Sequence, residues 1–146
     1  MTILVLVVAL LTADAPKPAA IDQDALKKFQ GNWSLTRREH GGEPEPAKKL
    51  QTWRVEVNAT KITVRDGDKV EEELEIVHLD PKGKPAAINL KVTQGDDKGK
   101  VIQGIWKADG VTLTLCIAEP GKDRPKQFAG KKETGHTVLV LAKAKK

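Results

Sequence analysis

The side chains able to act as nucleophiles are few. Ser34 is the only serine, and it stands beside Trp33 outside any G-x-S-x-G turn. Cys116 is the only cysteine. It falls mid-strand, on the face opposite the apolar one, with no helix N-terminus to activate the thiol. A single cysteine builds neither an intramolecular disulfide nor a cysteine zinc site. No two of His40, His78 and His136 share metal-ligand spacing. His40 and His136 fall in loops. His78 continues the alternation Leu74, Ile76, His78. That parity puts an imidazole at the inner rim of a sheet, either bonded to backbone or water or touching a ligand. Glu71, Glu73 and Glu75 form an acidic row. Paired carboxylates can do acid–base work across a substrate. Here they stand opposite Lys61 and Arg65 and read as solvent-facing ion pairs. Glu72 has the inward parity and is the odd member.

The segment Gly95-Asp96-Asp97-Lys98-Gly99-Lys100 has the outline of a phosphate loop. It is one residue short between its glycines, and Val101 stands where Ser or Thr is needed. No helix follows to supply a positive N-terminus. It reads as a hairpin loop, and its two aspartates match no calcium spacing. No nucleophile–base pair and no metal constellation results, so the expectation is a non-enzyme without cofactor or metal.

Charge narrows the partners. The net charge is +5, from 25 Lys and Arg against 20 Asp and Glu, with both signs scattered. Lys131, Lys132, Lys143, Lys145 and Lys146 carry much of the basic excess. A strand-binding groove for nucleic acid also needs exposed aromatic residues among the charges. Aromatics are 3% of this chain and its three tryptophans fall on the apolar face, so nucleic acid is not expected.

The elements that would position these residues are mostly strands. At 146 residues the chain suits one domain. A short helix opens it. Asp22 can cap its N-terminus, Ile21 and Leu26 form a hydrophobic staple, Leu26 and Phe29 share one face, and Gly31 stops it. The period then changes from helical to alternating. Strands are predicted over 32–37, 52–57, 61–65, 70–79, 87–93, 101–108, 112–118 and 137–142. About eight short strands separated by turn signals suit a barrel or a sandwich.

Two hairpins can be argued to the register. A two-residue turn at Asp109-Gly110 would pair Trp106 with Leu113, Gly104 with Leu115 and Ile102 with Ile117. A loop of Gly67-Asp68-Lys69 would set Ile62 beside Leu74, Lys61 beside Glu75 and Arg65 beside Glu71. One side of the sheet then collects Trp33, Leu35, Trp53, Val55, Val57, Ile62, Val64, Leu74, Ile76, Ile88, Leu90, Val92, Ile102, Trp106, Leu113, Leu115 and Ile117. That set fills a small barrel or lines a cavity within it.

Residues Ile3 to Leu11 form an apolar run too short to span a bilayer. Ala13-Asp14-Ala15 follows, small residues at a spacing a signal peptidase reads. The alternative is a β-branched edge strand. The expected organisation is a signal peptide over 1–15, a linker over 16–21 and one domain over 22–146. The product would be periplasmic or extracellular, with no membrane span after cleavage.

Longer patterns carry a resemblance. They are Phe29-Gln30-Gly31-x-Trp33, Leu79-Asp80-Pro81 with Pro85, Ile88 and Leu90, and Gly104-Ile105-Trp106 with Asp109-Gly110, Leu113 and Cys116. Pro120-Gly121-x-x-Arg124-Pro125-x-x-Phe128 and Gly135 with Thr137 complete them. From about Asp22 to the C-terminus the chain resembles a family of uncharacterised lipocalin-like domains frequent in exported planctomycete proteins. The resemblance implies an all-β, calycin-type antiparallel barrel in the cell envelope or outside it, and no particular activity. Lipocalins stack a basic side chain from beyond the last strand on the first-strand Trp, a part open here to Lys143 or Lys145.

Two roles follow. The first is a carrier or sensor for a small hydrophobic ligand, with Trp33, Trp53, Leu74, Ile76, His78, Leu90, Gly104, Trp106 and Leu115 as the cavity. Gly104 would leave a gap there between Ile102 and Trp106. The second is an envelope module with a filled barrel that meets a protein partner through its loops, over 43–49 and 120–132. Arg124 and Phe128 are the loop-surface candidates, or else they anchor that loop back onto the barrel.

Overall fold

Alternating aliphatic and polar residues make strands with one greasy face, and eight such strands bury that face most completely by closing on themselves. The computed structural model describes residues 20–130 and 132–144. The stretch expected to be a leader, over 1–15, most of the expected linker and Lys145 lie outside the described residues. Helix α1 (Gln23–Phe29) comes first, followed by β1 (Gly31–His40), β2 (Glu43–Pro44), α2 (Ala47–Leu50) and β3 (Trp53–Asn58). The chain continues through β4 (Lys61–Asp66), β5 (Lys69–Asp80), β6 (Ala86–Gln94), β7 (Val101–Asp109), β8 (Thr112–Ile117) and β9 (Thr137–Lys143). Strands β3 to β9 pair in sequence order, β3 pairs with β1, and β9 returns to β1. With the two-residue β2 set aside, this is a closed, eight-stranded antiparallel barrel. No helix among the described residues is long and apolar enough to cross a membrane.

The predicted inward set is the core. Fourteen of its members are buried, and Trp53, Val64 and Ile117 pack against it partly buried. Helix α1 plugs one end. Asp22 Oδ1 accepts from the Ala25 amide at 2.8 Å, as a capping residue should. Ile21 makes a parallel bridge with Leu79, and the Asp22 amide donates to the Leu79 carbonyl at 3.0 Å. Gln30 exchanges two hydrogen bonds with the backbone of Ala59, 2.8 Å each, which ties the end of α1 to the β3–β4 turn.

Two registers need correction. The β7–β8 turn is Gly110-Val111, with Asp109 opposite Thr112. Trp106 therefore faces Leu115 rather than Leu113, and Gly104 faces Ile117. Gly110 holds φ at +45°, the positive value that a turn of this kind needs at its first central residue. The slip is by two residues, so every side chain keeps its face. The β4–β5 turn is likewise two residues, Gly67-Asp68, with Asp66 opposite Lys69. A bulge at Glu71 then restores the expected pairs Ile62 with Leu74 and Lys61 with Glu75, while Arg65 faces Val70 and not Glu71.

The wall is not uniform. Strand β3 leaves β1 after the pair Ser34 with Arg54. The gap above is filled by β2 and α2, in the stretch over 43–49 where a loop was expected. The Glu45 amide donates to the Arg38 carbonyl at 2.8 Å, and Leu50 is buried in the core.

Candidate functional site

Inside the barrel lies a cavity of about 290 Å³, closed at the α1 end and open at the other. Its floor is aromatic. Phe29 is fully buried and meets Trp106 edge-on at 5.0 Å between ring centroids. Two buried tryptophans next to Phe29 satisfy their indole N–H on backbone. Trp33 Nε1 donates to the Phe29 carbonyl at 2.8 Å and Trp106 Nε1 to the Ala87 carbonyl at 3.0 Å. The Lys143 ammonium sits 5.5 Å from the centre of the Trp33 ring, a cation–π distance. The wall is aliphatic, with Val55, Val57, Ile62, Leu74, Leu90, Ile102, Leu113, Leu115 and Leu141 among its members.

The mouth is polar. Arg38, Trp53, Glu71, Glu72 and Thr137 line it. Bulges decide which side chains arrive there. On β1, the register against β9 shifts between Leu35 and Arg37, leaving Thr36 as the extra residue. Simple alternation from Trp33 and Leu35 would aim Arg37 inward. The bulge substitutes Arg38, which lies 5.8 Å above the Trp53 ring and 3.4 Å from Glu45. On β5 the bulge at Glu71 brings both Glu71 and Glu72 to the cavity. Glu71 pairs with Lys69 at 3.5 Å. Burial raises the Glu72 carboxyl above its ordinary pKa, the neighbouring Asp97 adds to this, and Arg38 opposes it.

Of the residues expected to line the cavity, Trp53, Leu74, Leu90 and Leu115 do so. Trp33, Ile76 and Trp106 are buried in the core and are not among the residues that line the cavity. His78 does not point inward. A bulge between Ile76 and His78 reverses the parity, so Leu79 is buried instead and His78 stands opposite Asn89 on the outside. The His78 Nδ1 is buried and finds no hydrogen-bond partner among the described residues. Gly104 leaves no gap. A Cβ there would lie 2.9 Å from the Cys116 carbonyl, 2.9 Å from Ile117 Cγ2 and 3.3 Å from Ile88 Cγ2. The β7–β8 strands approach closely at this point, and Ile88 and Ile117 occupy the space. Glu71, expected to face solvent in an ion pair, lines the cavity instead, and Arg38 was not singled out, because bulges rather than alternation bring both inward.

Arg124 and Phe128 take the anchoring alternative. The connection from β8 to β9 folds back on the outer face of the sheet. There Ile105, Cys116 and Val138 form a second small apolar cluster, with Phe128 packed on it. The Lys107 ammonium lies 4.7 Å from the Phe128 ring centre. Arg124 donates to the Ile88 and Gly104 carbonyls at 2.9 and 2.7 Å and to Asn89 Oδ1 at 2.6 Å. Desolvation lowers its pKa. Burial raises that of the Cys116 thiol, which lies beneath the connection. Among the described residues no group of His, Cys, Asp and Glu is arranged to hold a metal ion.

Compared with protein-family models, with curated proteins and with solved structures, the chain finds no match.

Proposed function

We propose that this domain is an exported carrier or sensor that holds one small apolar ligand inside a lipocalin-like barrel. The cavity carries the reading. It is open at one end, and aliphatic and aromatic side chains make most of its lining. Eight-stranded barrels are either packed solid or hold one small ligand. This one keeps about 290 Å³ free, room for roughly ten non-hydrogen atoms at about 30 Å³ each. Burying such a ligand gains on the order of 25 cal/mol for each Å² of apolar surface removed from water. A preformed floor and wall spare the cost of ordering the site. The stacking of Lys143 on Trp33 matches the arrangement expected from the lipocalin resemblance and supports that part of the reading.

Native mass spectrometry of the protein purified from its own cell envelope tests the proposal against the denatured mass. The expected result is excess mass that disappears on denaturation, together with a higher melting temperature in the presence of small apolar compounds. A bare chain whose melting temperature no such compound raises would overturn it. The same denatured mass reports export, because a processed product lacks residues 1–15.

A further inference from the structure

The mouth of the cavity bears on the kind of ligand, an inference that rests on the cavity reading above. A purely apolar ligand would need no charged residues at the rim, yet Arg38, Glu71 and Glu72 all line the cavity. Two of the three are already neutralised. Arg38 faces Glu45 at 3.4 Å and Glu71 faces Lys69 at 3.5 Å. Glu72 has neither an ion pair nor a hydrogen bond among the described residues, although it is half-buried and lines the apolar space.

Its surroundings do not supply the missing partner. From β4 it faces Val64 across the strand pair. The β6–β7 loop closes over its other side, where the Cβ position of Gly95 lies 3.5 Å from Glu72 Cγ. That loop brings Asp96 and Asp97, both of like charge, and Asp97 is itself held by Lys100 at 3.1 Å. Arg38 on β1 is the one cation whose field reaches Glu72 favourably. What is left over at the rim is therefore a carboxylate on the edge of a greasy cup. Glu72 is held partly out of water, and a cation placed against its carboxylate offsets that desolvation.

We propose that the cavity selects a cationic amphiphile, with an aliphatic tail of about ten carbons in the cup and an ammonium head held by Glu72 at the mouth. The head donates to the carboxylate and the tail replaces water against Leu74, Leu90 and Leu115. Arg38 stays on Trp53 and Glu45 and forms the far lip.

Three probes with one tail separate the tail from the head: decylamine, decanol and decanoate, titrated calorimetrically at neutral pH and low salt. Decylamine should bind roughly tenfold more tightly than decanol, the size of one charge-assisted contact, and decanoate more weakly than either. Glu72→Gln should bring decylamine down to the level of decanol and leave decanol unchanged, which also shows that the variant is folded. Mild acid should do the same to the wild type as Glu72 takes up a proton. Equal affinities for the three probes, or a preference for decanoate, would overturn the inference while leaving the cavity reading intact. If none of the three binds, the cavity reading itself fails, and the head-group inference with it.

Discussion

Glu72 and Gly104 show how one residue's surroundings reverse its obvious meaning. The raised pKa of Glu72 means that the folded chain holds that proton more tightly than the unfolded chain does. Its ionised form therefore opposes folding above the raised pKa, and the penalty vanishes below the unfolded value. Glu72→Gln should raise the melting temperature near neutrality, and the advantage should shrink as pH falls through the raised Glu72 pKa. Thermal unfolding of both proteins over that range checks the sign. Gly104 is a matter of space rather than charge. Gly104→Ala drives a methyl to 2.9 Å from a backbone carbonyl, and should cost about 1–3 kcal/mol in urea unfolding. The inward parity of Glu72 was visible in the sequence. The absence of a cavity at Gly104 was not, because a missing side chain reads as room until the neighbours that fill it are known.

Whole elements were readable where alternation is strict and obscure where one residue is inserted. Strand positions and faces followed from the two-residue period, and a slip of two at Gly110-Val111 left every face intact. Three of the four bulges decide which side chains enter or leave the cavity. They bring Arg38 in place of Arg37, add Glu71 beside Glu72, and turn His78 outward. A bulge bends and twists its strand, and the curvature of the closed barrel decides where that is needed. No local residue type announces it. The β8–β9 connection is the other element whose role only packing reveals. Its Phe128 covers Ile105, Cys116 and Val138 from outside. Phe128→Ala should cost about 1–2 kcal/mol, less than a fully buried ring, and should speed labelling of the Cys116 thiol by a soluble disulfide reagent. Arg124→Ala, which frees two sheet carbonyls and Asn89, should cost roughly 1–3 kcal/mol in the same unfolding measurement.

At the scale of the molecule, the barrel has a sealed end and an open one, and the three tryptophans report on them separately. Trp33 and Trp106 are 1% and 4% exposed, packed against Phe29 at the sealed end, while Trp53 stands half-buried at the mouth. Acrylamide should quench only the Trp53 share of the fluorescence, and Trp53→Phe should abolish the quenchable part. The barrel class was legible from eight alternating runs and the turn residues between them. The sealing of one end rested on the short helix with Phe29, which was recognised as a helix but not as a plug. The side wall holds a further consequence. Below the pair Ser34 with Arg54 the strands are stitched together all the way round. Above it, β1 and β3 part, and a four-residue helix with a two-residue strand bridges the opening. This seam has the fewest backbone bonds to break, so it should be the first part of the wall to exchange its amide hydrogens. The barrel then behaves less like a rigid cup than like a purse with one weak clasp. The dwell time of any guest would be set by how often the clasp springs open, and Leu50 is the side chain by which that short helix is anchored in the core.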